Sequence, residues 1–347
     1  VTGAKRKGMP RTIEWKDDGV YIIDQTKLPG RLVIIKCKDY ERLAKAIETM
    51  EIRGAPALGV AAAMGVALAA MGSGGSTLEE MRSDLLKASQ RIRSTRPTAR
   101  NLFWALERMQ RVWESAKSPT ELVDRVVGEA VRMAEEDVSL CSTIGANGNE
   151  LICEGDRILT HCNAGGLACV DVGTALGVIR SAARGGKKIF VYATETRPLL
   201  QGARLTAFEL KNEGIQFRLI TDNMVGFVMR KKLVDKVVVG ADRITRWGDV
   251  VNKIGTYGIA VIAAAHRVPF YVAAPFSTID LDIKPEDIVI EERNPDEVTC
   301  IKGRRIAPRG ISALNPAFDL TPREFVSGII TERGVFRPPF DFGPGEG

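Results

Sequence analysis

Histidine is nearly absent from this 347-residue chain, with only His161 and His266. Cysteine is sparse too. There are six, at positions 37, 141, 153, 162, 169 and 300, and no C-x-x-C pair occurs. Zinc-type sites draw on closely spaced His and Cys, so no metal is expected. His161 adjoins Cys162, and neighbours on a strand point to opposite faces, so this pair is not expected to share an ion. The length rules out a small disulfide scaffold, and the cysteines read as reduced, mostly buried cytoplasmic thiols. Aromatics make up 6% of the chain. The basic clusters Lys5-Arg6-Lys7, Arg230-Lys231-Lys232 and Lys302 with Arg304-Arg305 have no aromatics between them. A nucleic-acid groove needs such interleaving, so no nucleic-acid partner is expected. The first ten residues are polar and basic, and no secretory signal is expected. Neither G-x-x-x-x-G-K-[ST] nor G-x-G-x-x-G is present, which leaves nucleotide binding without support.

One stretch, Ala55 to Gly72, carries no charge. It falls at the limit for a membrane span, which needs about 20 apolar residues. It is rich in Ala and Gly and lacks an aromatic belt, so a buried helix packed closely by small residues is expected, with no membrane partner. The net charge, 49 − 43 = +6, is mild and compatible with an anionic small substrate.

What is present is a globular composition, 45% hydrophobic and 27% charged, on a chain longer than one core usually serves. Residues 11–36 alternate around Asp17-Asp18-Gly19 and read as a hairpin plus a third strand. Helical periodicity follows at 39–50, 56–71, 77–92, 99–116 and 119–143, with starts marked by Ser76-Thr77-Leu78-Glu79 and Ser118-Pro119-Thr120-Glu121. After a Gly/Asn-rich passage, strands at 157–162, 188–193, 216–221, 236–240 and 269–274 alternate with helices near 168–184, 202–213, 223–233 and 255–267. The expected fold is α/β. A mainly helical N-terminal domain with a small β-hairpin sheet (1–145) precedes a doubly wound, mostly parallel, Rossmann-like domain (146–347).

Ligands of open α/β sheets bind beyond the carboxyl ends of the strands. Those ends read Cys162-Asn163-Ala164-Gly165-Gly166, Thr194-Glu195-Thr196-Arg197, Asp222-Asn223 and Ala241-Asp242-Arg243. Cys162 is either a small buried hydrophobe or a thiol at an anion-binding turn. Asp242 is either a general acid whose pKa is raised by desolvation, or a helix cap or partner of Arg243. Arg53-Gly54-Ala55-Pro56 and Arg96-Pro97-Thr98 precede helices, and Asn252-Lys253 reads as part of a polar loop. Basic residues before helix starts can clamp a phosphate.

Eight ordered segments then fit one pattern: Arg53-Gly-Ala-Pro-Ala-Leu-Gly, Arg96-Pro-Thr-Ala, Thr160-His-Cys-Asn-Ala-Gly, Glu195-Thr-Arg-Pro, Gln201-Gly-Ala-Arg-Leu-Thr, Gly240-Ala-Asp-Arg-Ile, Asn252-Lys-Ile-Gly-Thr-Tyr and Ile290-Glu-Glu-Arg. From about residue 10 to 336 the chain resembles the 5-methylthioribose-1-phosphate isomerases of methionine salvage. Their fold is shared with ribose-1,5-bisphosphate isomerases and the regulatory subunits of translation initiation factor 2B. The resemblance implies an aldose–ketose isomerisation with Asp242 as proton donor and Cys162 as base or transition-state stabiliser. It places substrate on Arg53, Gly54, Ala55, Arg96, Gln201, Asn252 and Lys253. It implies no metal or organic cofactor, and a cytoplasmic homodimer. Enediol and hydride routes both remain open. Cys169, Asp171 and Arg100 depart from the family pattern, and Leu102-Phe103-Trp104 is either a wall for the methylthio group or core. The alternatives are a ribose-1,5-bisphosphate isomerase, whose second phosphate Arg100 could meet, and a non-catalytic translation regulator.

Overall fold

A computed structural model of the chain describes residues 9–17, 19–96 and 99–343. Lys5-Arg6-Lys7, Asp18 of the first expected turn, and Pro97-Thr98 lie outside the described residues. The chain forms two compact units. One takes the described residues up to Ser142 together with Gly165–Gly173, and the other takes Thr143–Ala164 and the described residues from Thr174 onward.

The first unit opens with the antiparallel meander β1 (Ile13–Lys16), β2 (Gly19–Ile23) and β3 (Ile34–Cys37). Helices α1 (Tyr40–Glu48), α2 (Ala55–Gly72), α3 (Leu78–Arg93), α4 (Arg100–Glu114) and α5 (Pro119–Asn149) follow, and α5 runs on into the second unit. The cap of α3 is Thr77. Its hydroxyl accepts from Glu80 N–H, while the Glu80 carboxylate accepts from Thr77 N–H. Helix α2 is long and apolar enough to cross a membrane, yet 83% of it is buried inside the protein. Its glycines explain the tight packing. A Cβ on Gly59 would stand 3.1 Å from the Asn101 carbonyl oxygen, and one on Gly65 2.6 Å from Ile92 Cδ1. Burying its Leu58, Val60, Met64, Val66 and Leu68 is worth roughly 1.5–3 kcal/mol per large side chain.

In the second unit β4 (Arg157–Thr160), α6 (Ala175–Arg184), β5 (Phe190–Thr194), α7 (Ala207–Asn212), β6 (Phe217–Ile220), α8 (Val225–Arg230) and β7 (Lys236–Val239) lead to a β-hairpin. The hairpin pairs β8 (Arg243–Thr245) with β9 (Val250–Lys253) and is followed by α9 (Thr256–Ala265) and β10 (Phe270–Ala273). Then come β11 (Ile279–Asp280), α10 (Asp296–Thr299), β12 (Cys300–Ile301), β13 (Arg304–Arg305), β14 (Phe318–Thr321), β15 (Gly328–Thr331) and β16 (Gly334–Phe336). The main sheet has the order β16-β15-β10-β7-β4-β5-β6, parallel throughout except for the antiparallel edge strand β16.

Alternation along the strands shows why helices cover both faces of this sheet. Leu159, Tyr192, Val237, Val239 and Val272 pack with α8 and α9 residues such as Val228 and Ile259. Ile158, Val191, Val238 and Ala273 pack with Ile144 of α5, Ile179 of α6 and Leu210 of α7. Residues one apart thus serve opposite cores. A second sheet, β11-β8-β9-β14, flanks the chain leaving β7.

Three expectations need correction. Asn252 and Lys253 are on strand β9, not in a loop. The helix expected from 168 begins at Ala175, because residues 166–168 make a single 3-10 turn and Gly173 turns back at φ +84. A Cβ on Gly173 would lie 2.3 Å from the Gly165 carbonyl carbon. The segment expected as helix 202–213 begins as a π-helical turn, Gly202–Thr206, before α7.

Candidate active site

The strand order places a topological switch between β4 and β7. The chain moves outward from β4 through β5 to β6, then returns to the other side of β4. At such a point the connections diverge and leave a crevice at the carboxyl ends. Cys162 follows β4 and Asp242 follows β7, so the switch brings their strand ends side by side. The ends approach closely: a Cβ on Gly240 would stand 2.7 Å from the Ala164 Cβ. Both residues are half-buried.

Cys162 is held by its backbone. Its φ is +60, an uncommon value for a residue with a side chain. Its N–H donates to Thr196 Oγ1 at 2.9 Å, and its carbonyl accepts from Thr206 Oγ1 at 2.6 Å. Thr196 itself is buried at φ +63, a genuine outlier for a β-branched residue, and strain of this kind needs firm support. Support comes from Asp222, whose carboxylate accepts from Thr196 N–H at 2.8 Å and Arg197 N–H at 2.7 Å. Burial, with Asp222 adding repulsion, raises the pKa of neighbouring Glu195.

His161 completes the brace. Its Nε2 lies 2.9 Å from the Ile254 carbonyl and its Nδ1 2.6 Å from Thr194 Oγ1. A carbonyl can only accept, so Nε2 carries the proton and Nδ1 accepts from the Thr194 hydroxyl. Thr194 Oγ1 in turn lies 3.2 Å from Thr196 Oγ1. Burial lowers the pKa of His161 and keeps the ring neutral, against the pull of the Ile254 carbonyl and Asp222. One connected path therefore links the end of β4, the end of β5 and the segment after β9.

Asn163 and Gln201 flank this path. Asn163 Nδ2 donates to Glu209 Oε1 at 3.0 Å, and Glu209 is paired with Arg180 in a fully buried ion pair. Gln201 is 5% exposed, and its Oε1 has no hydrogen-bond partner among the described residues. It stands at the start of the π turn, where a Cβ on Gly202 would fall 1.7 Å from the Thr194 oxygen. Asn252 is buried and donates from Nδ2 to Thr256 Oγ1 at 3.0 Å. Lys253 Nζ donates to the Ala317 carbonyl at 2.8 Å and lies 4.5 Å from the centre of the Phe318 ring. Asp319 faces Asn252 across β9 and β14 and accepts from Gly255 and Tyr257 N–H at the start of α9. Burial raises its pKa to about 6.

The remaining candidates belong to the first unit. Arg53 Nε donates to Gln25 Oε1 at 3.1 Å, and Gln25 Nε2 to the Leu167 carbonyl at 2.7 Å. Gly54 has φ +100 and abuts Ala168; a Cβ there would meet the Ala168 Cα at 2.5 Å. Ala55 starts α2, which has no side-chain cap; with Pro56 next, Ala55 and Ala57 carry the first-turn N–H groups that no capping side chain meets. Arg96 and Arg100 are half-buried around the uncapped start of α4. Leu102 is fully buried core, whereas Phe103 and Trp104 lie under the guanidinium groups of Arg93 and Arg108. The sequence placed Thr194 and Thr196 at a strand end and His161 beside Cys162 but gave none of them a role, and it did not single out Thr206 or Asp319. The available signal was the concentration of hydroxyls at the ends of apolar strands.

Comparison with known proteins gives a consistent picture. The Initiation factor 2 subunit family matches residues 51–338. A protein of Geotalea uraniireducens called methylthioribose-1-phosphate isomerase is 54% identical over 334 residues, covering 95% of this chain and 96% of its own. The Thermotoga maritima protein of the same name is 52% identical over 333 residues, with 95% and 96% covered. The crystal structure of 5-methylthioribose 1-phosphate isomerase from Pyrococcus horikoshii superposes with a TM-score of 0.91 at 46% identity, covering 98% of this chain and 96% of that one. A structure described as translation initiation factor eIF-2B subunit delta from A. fulgidus gives a TM-score of 0.85 at 51% identity, with 95% and 97% covered.

Proposed function

This chain belongs to the initiation factor 2 subunit family, and we propose that it converts 5-methylthioribose 1-phosphate to 5-methylthioribulose 1-phosphate, a step of methionine salvage. It is an isomerase acting on a sugar phosphate. The observation that carries this reading is the match, over nearly the whole of both chains, to proteins bearing that isomerase name.

The substrate sets the chemistry. Phosphate on the anomeric oxygen blocks spontaneous ring opening, so an acid must protonate the ring oxygen as its bond to C1 breaks. Hydrogen then passes from C2 to C1. We assign the acid to Asp242. Cys162 either takes the C2 proton as thiolate, in an enediol route, or stabilises charge while hydride moves directly. The braced turn at Cys162 supports this assignment, because a fixed backbone fixes where the sulfur sits. Arg53 and Arg96, each beside an uncapped helix start, suit the phosphate. Gly54, packed on Ala168, and Ala55 bring the backbone of the first of these starts beside Arg53. Gln201, with an unpartnered buried oxygen, and Asn252 suit sugar hydroxyls, and Lys253 adds positive charge. A homodimer in the cytoplasm belongs to the same proposal and rests on the family resemblance.

The likeness to the A. fulgidus structure described as an initiation factor subunit gives a second reading, a translation factor subunit. Purified protein offered 5-methylthioribose 1-phosphate and ribose 1,5-bisphosphate separates the cases by ketose formation. Selective turnover of the methylthio sugar is expected. Selective turnover of the bisphosphate would shift the assignment and point to Arg100. Turnover of neither would favour the translation-factor reading.

A further inference from the structure

The first unit contains a second cluster of reactive side chains, which the isomerisation does not use. Asp137 and Cys141 lie one turn apart on α5, on the same helix face. Cys169 enters from the segment that follows the Cys162 turn. One carboxylate oxygen and the two sulfurs all lie within 4.8 Å of one another, and all three residues are buried. The Cys141 thiol points to Asp137 Oδ1 at 3.9 Å. The other carboxylate oxygen accepts from Val170 N–H at 2.7 Å, which fixes its orientation. The Gly173 N–H also points to the Cys141 sulfur.

The three donors converge on one point from two parts of the chain: a carboxylate oriented by a backbone N–H, a thiol one helical turn away, and a second thiol from the folded-back segment.

We propose that Asp137, Cys141 and Cys169 form a binding site for a thiophilic divalent cation of the zinc class. Zinc bonds of about 2.3 Å to sulfur and about 2.0–2.2 Å to oxygen place tetrahedral donors roughly 3.3–3.8 Å apart. Small side-chain rotations reach that spacing from the observed cluster. Binding releases the thiol protons to water, and two thiolates favour zinc over magnesium or calcium. The ion ties α5 to the 165–173 segment. That segment carries the Leu167 carbonyl that holds Gln25, and through it Arg53, as well as Ala168 beneath Gly54. Its role is to stiffen that support.

The test measures the zinc content of the full chain purified from zinc-supplemented cells, for the parent, Cys162→Ser, Cys141→Ser, Cys169→Ser and Asp137→Asn. Near-stoichiometric zinc is expected in the parent and in Cys162→Ser, with binding weakened roughly tenfold or more in the other three. Cobalt(II) substitution gives an independent signal: a sulfur-to-cobalt charge-transfer band in the parent and Cys162→Ser that falls to about half or less in Cys169→Ser, which keeps a single thiolate. A chelator should lower the thermal midpoint of the parent but not of Cys169→Ser. If Cys141→Ser does not fold, Cys169→Ser and Cys169→Ala carry the test from the loop side. Failure of the parent to bind zinc or cobalt overturns the proposal. So does undiminished binding in Cys169→Ser, loss of binding in Cys162→Ser alone, or a Cys141–Cys169 disulfide in the non-reduced protein.

Discussion

Cys162 and the Cys141–Cys169 pair are the same residue type in opposite settings. Cys162 is half-buried at a strand end, on a left-handed backbone whose N–H and carbonyl are each held by a threonine hydroxyl. Cys141 and Cys169 are fully buried in the helical unit, one on a regular helix and one on a folded-back segment, with a carboxylate for company. The first setting fixes one cysteine's backbone at the carboxyl end of β4. The second gathers donors around a point and shields them from solvent. Position in the fold, more than thiol chemistry, thus separates a candidate for catalysis from a candidate for ligation.

The largest effects should fall on one side of this comparison only. Asp242→Asn and Cys162→Ser are each expected to lower kcat by about 10²–10⁴-fold while leaving the thermal midpoint unchanged. Near-normal turnover in either variant would remove that residue from the chemistry. A lowered midpoint would make Cys162 a structural residue like the other pair.

The next effect falls on the other side. Gly54→Ala places a Cβ 2.5 Å from the Ala168 backbone at φ +100, next door to Cys169. It should cost about 1–3 kcal/mol in urea unfolding. Because Arg53 is adjacent, KM should also rise. A variant as stable as the parent would show that the 165–173 segment yields freely, and would blur the contrast with the braced turn.

Thr196 sharpens the contrast at finer scale. Thr196→Ala removes the acceptor of the Cys162 N–H but relieves a β-branched residue of its positive φ. About a tenfold fall in kcat is expected, roughly one hydrogen bond, with stability unchanged or slightly raised. Thr196→Ser should restore the rate. Failure of serine to rescue would mean that the hydroxyl does not position Cys162.

The strand-end half of the comparison was largely legible in the sequence. The core strands are apolar runs because both of their faces are covered, so the polar residues that end them, Cys162 and Asp242 among them, stood out. The brace was not legible, because Thr194, Thr196 and Thr206 matter through left-handed backbone and a π turn that local propensity does not foretell. Asn252-Lys253 read as a loop because β9 is only four residues long and ends in polar side chains whose pairing with β14 is non-local. The Asp137–Cys141–Cys169 cluster was invisible for a related reason. Its donors are separated in the chain by β4 and by the Cys162 turn, and spacing rules see only near neighbours.

The smallest expected effect tests whether the brace is sensed by pH. His161 is buried and neutral, with its pKa lowered below the ordinary value of about 6.5. Between that lowered value and 6.5 the unfolded chain takes up a proton that the folded chain resists. The stability associated with the neutral ring is therefore complete above pH 6.5 and falls as pH drops below it. The slope from this one group is at most about 1.4 kcal/mol per pH unit. His161→Gln, which cannot titrate, should flatten the fall in urea-unfolding free energy between pH 7 and 5 relative to the parent. The other ionisable groups are common to the parent and His161→Gln, so the difference between the two isolates this histidine. An identical slope in His161→Gln would mean that the Ile254–His161–Thr194 path is not held in the neutral form. The Cys162 turn would then depend on the threonines alone, and the two cysteine settings would differ less than their geometry suggests.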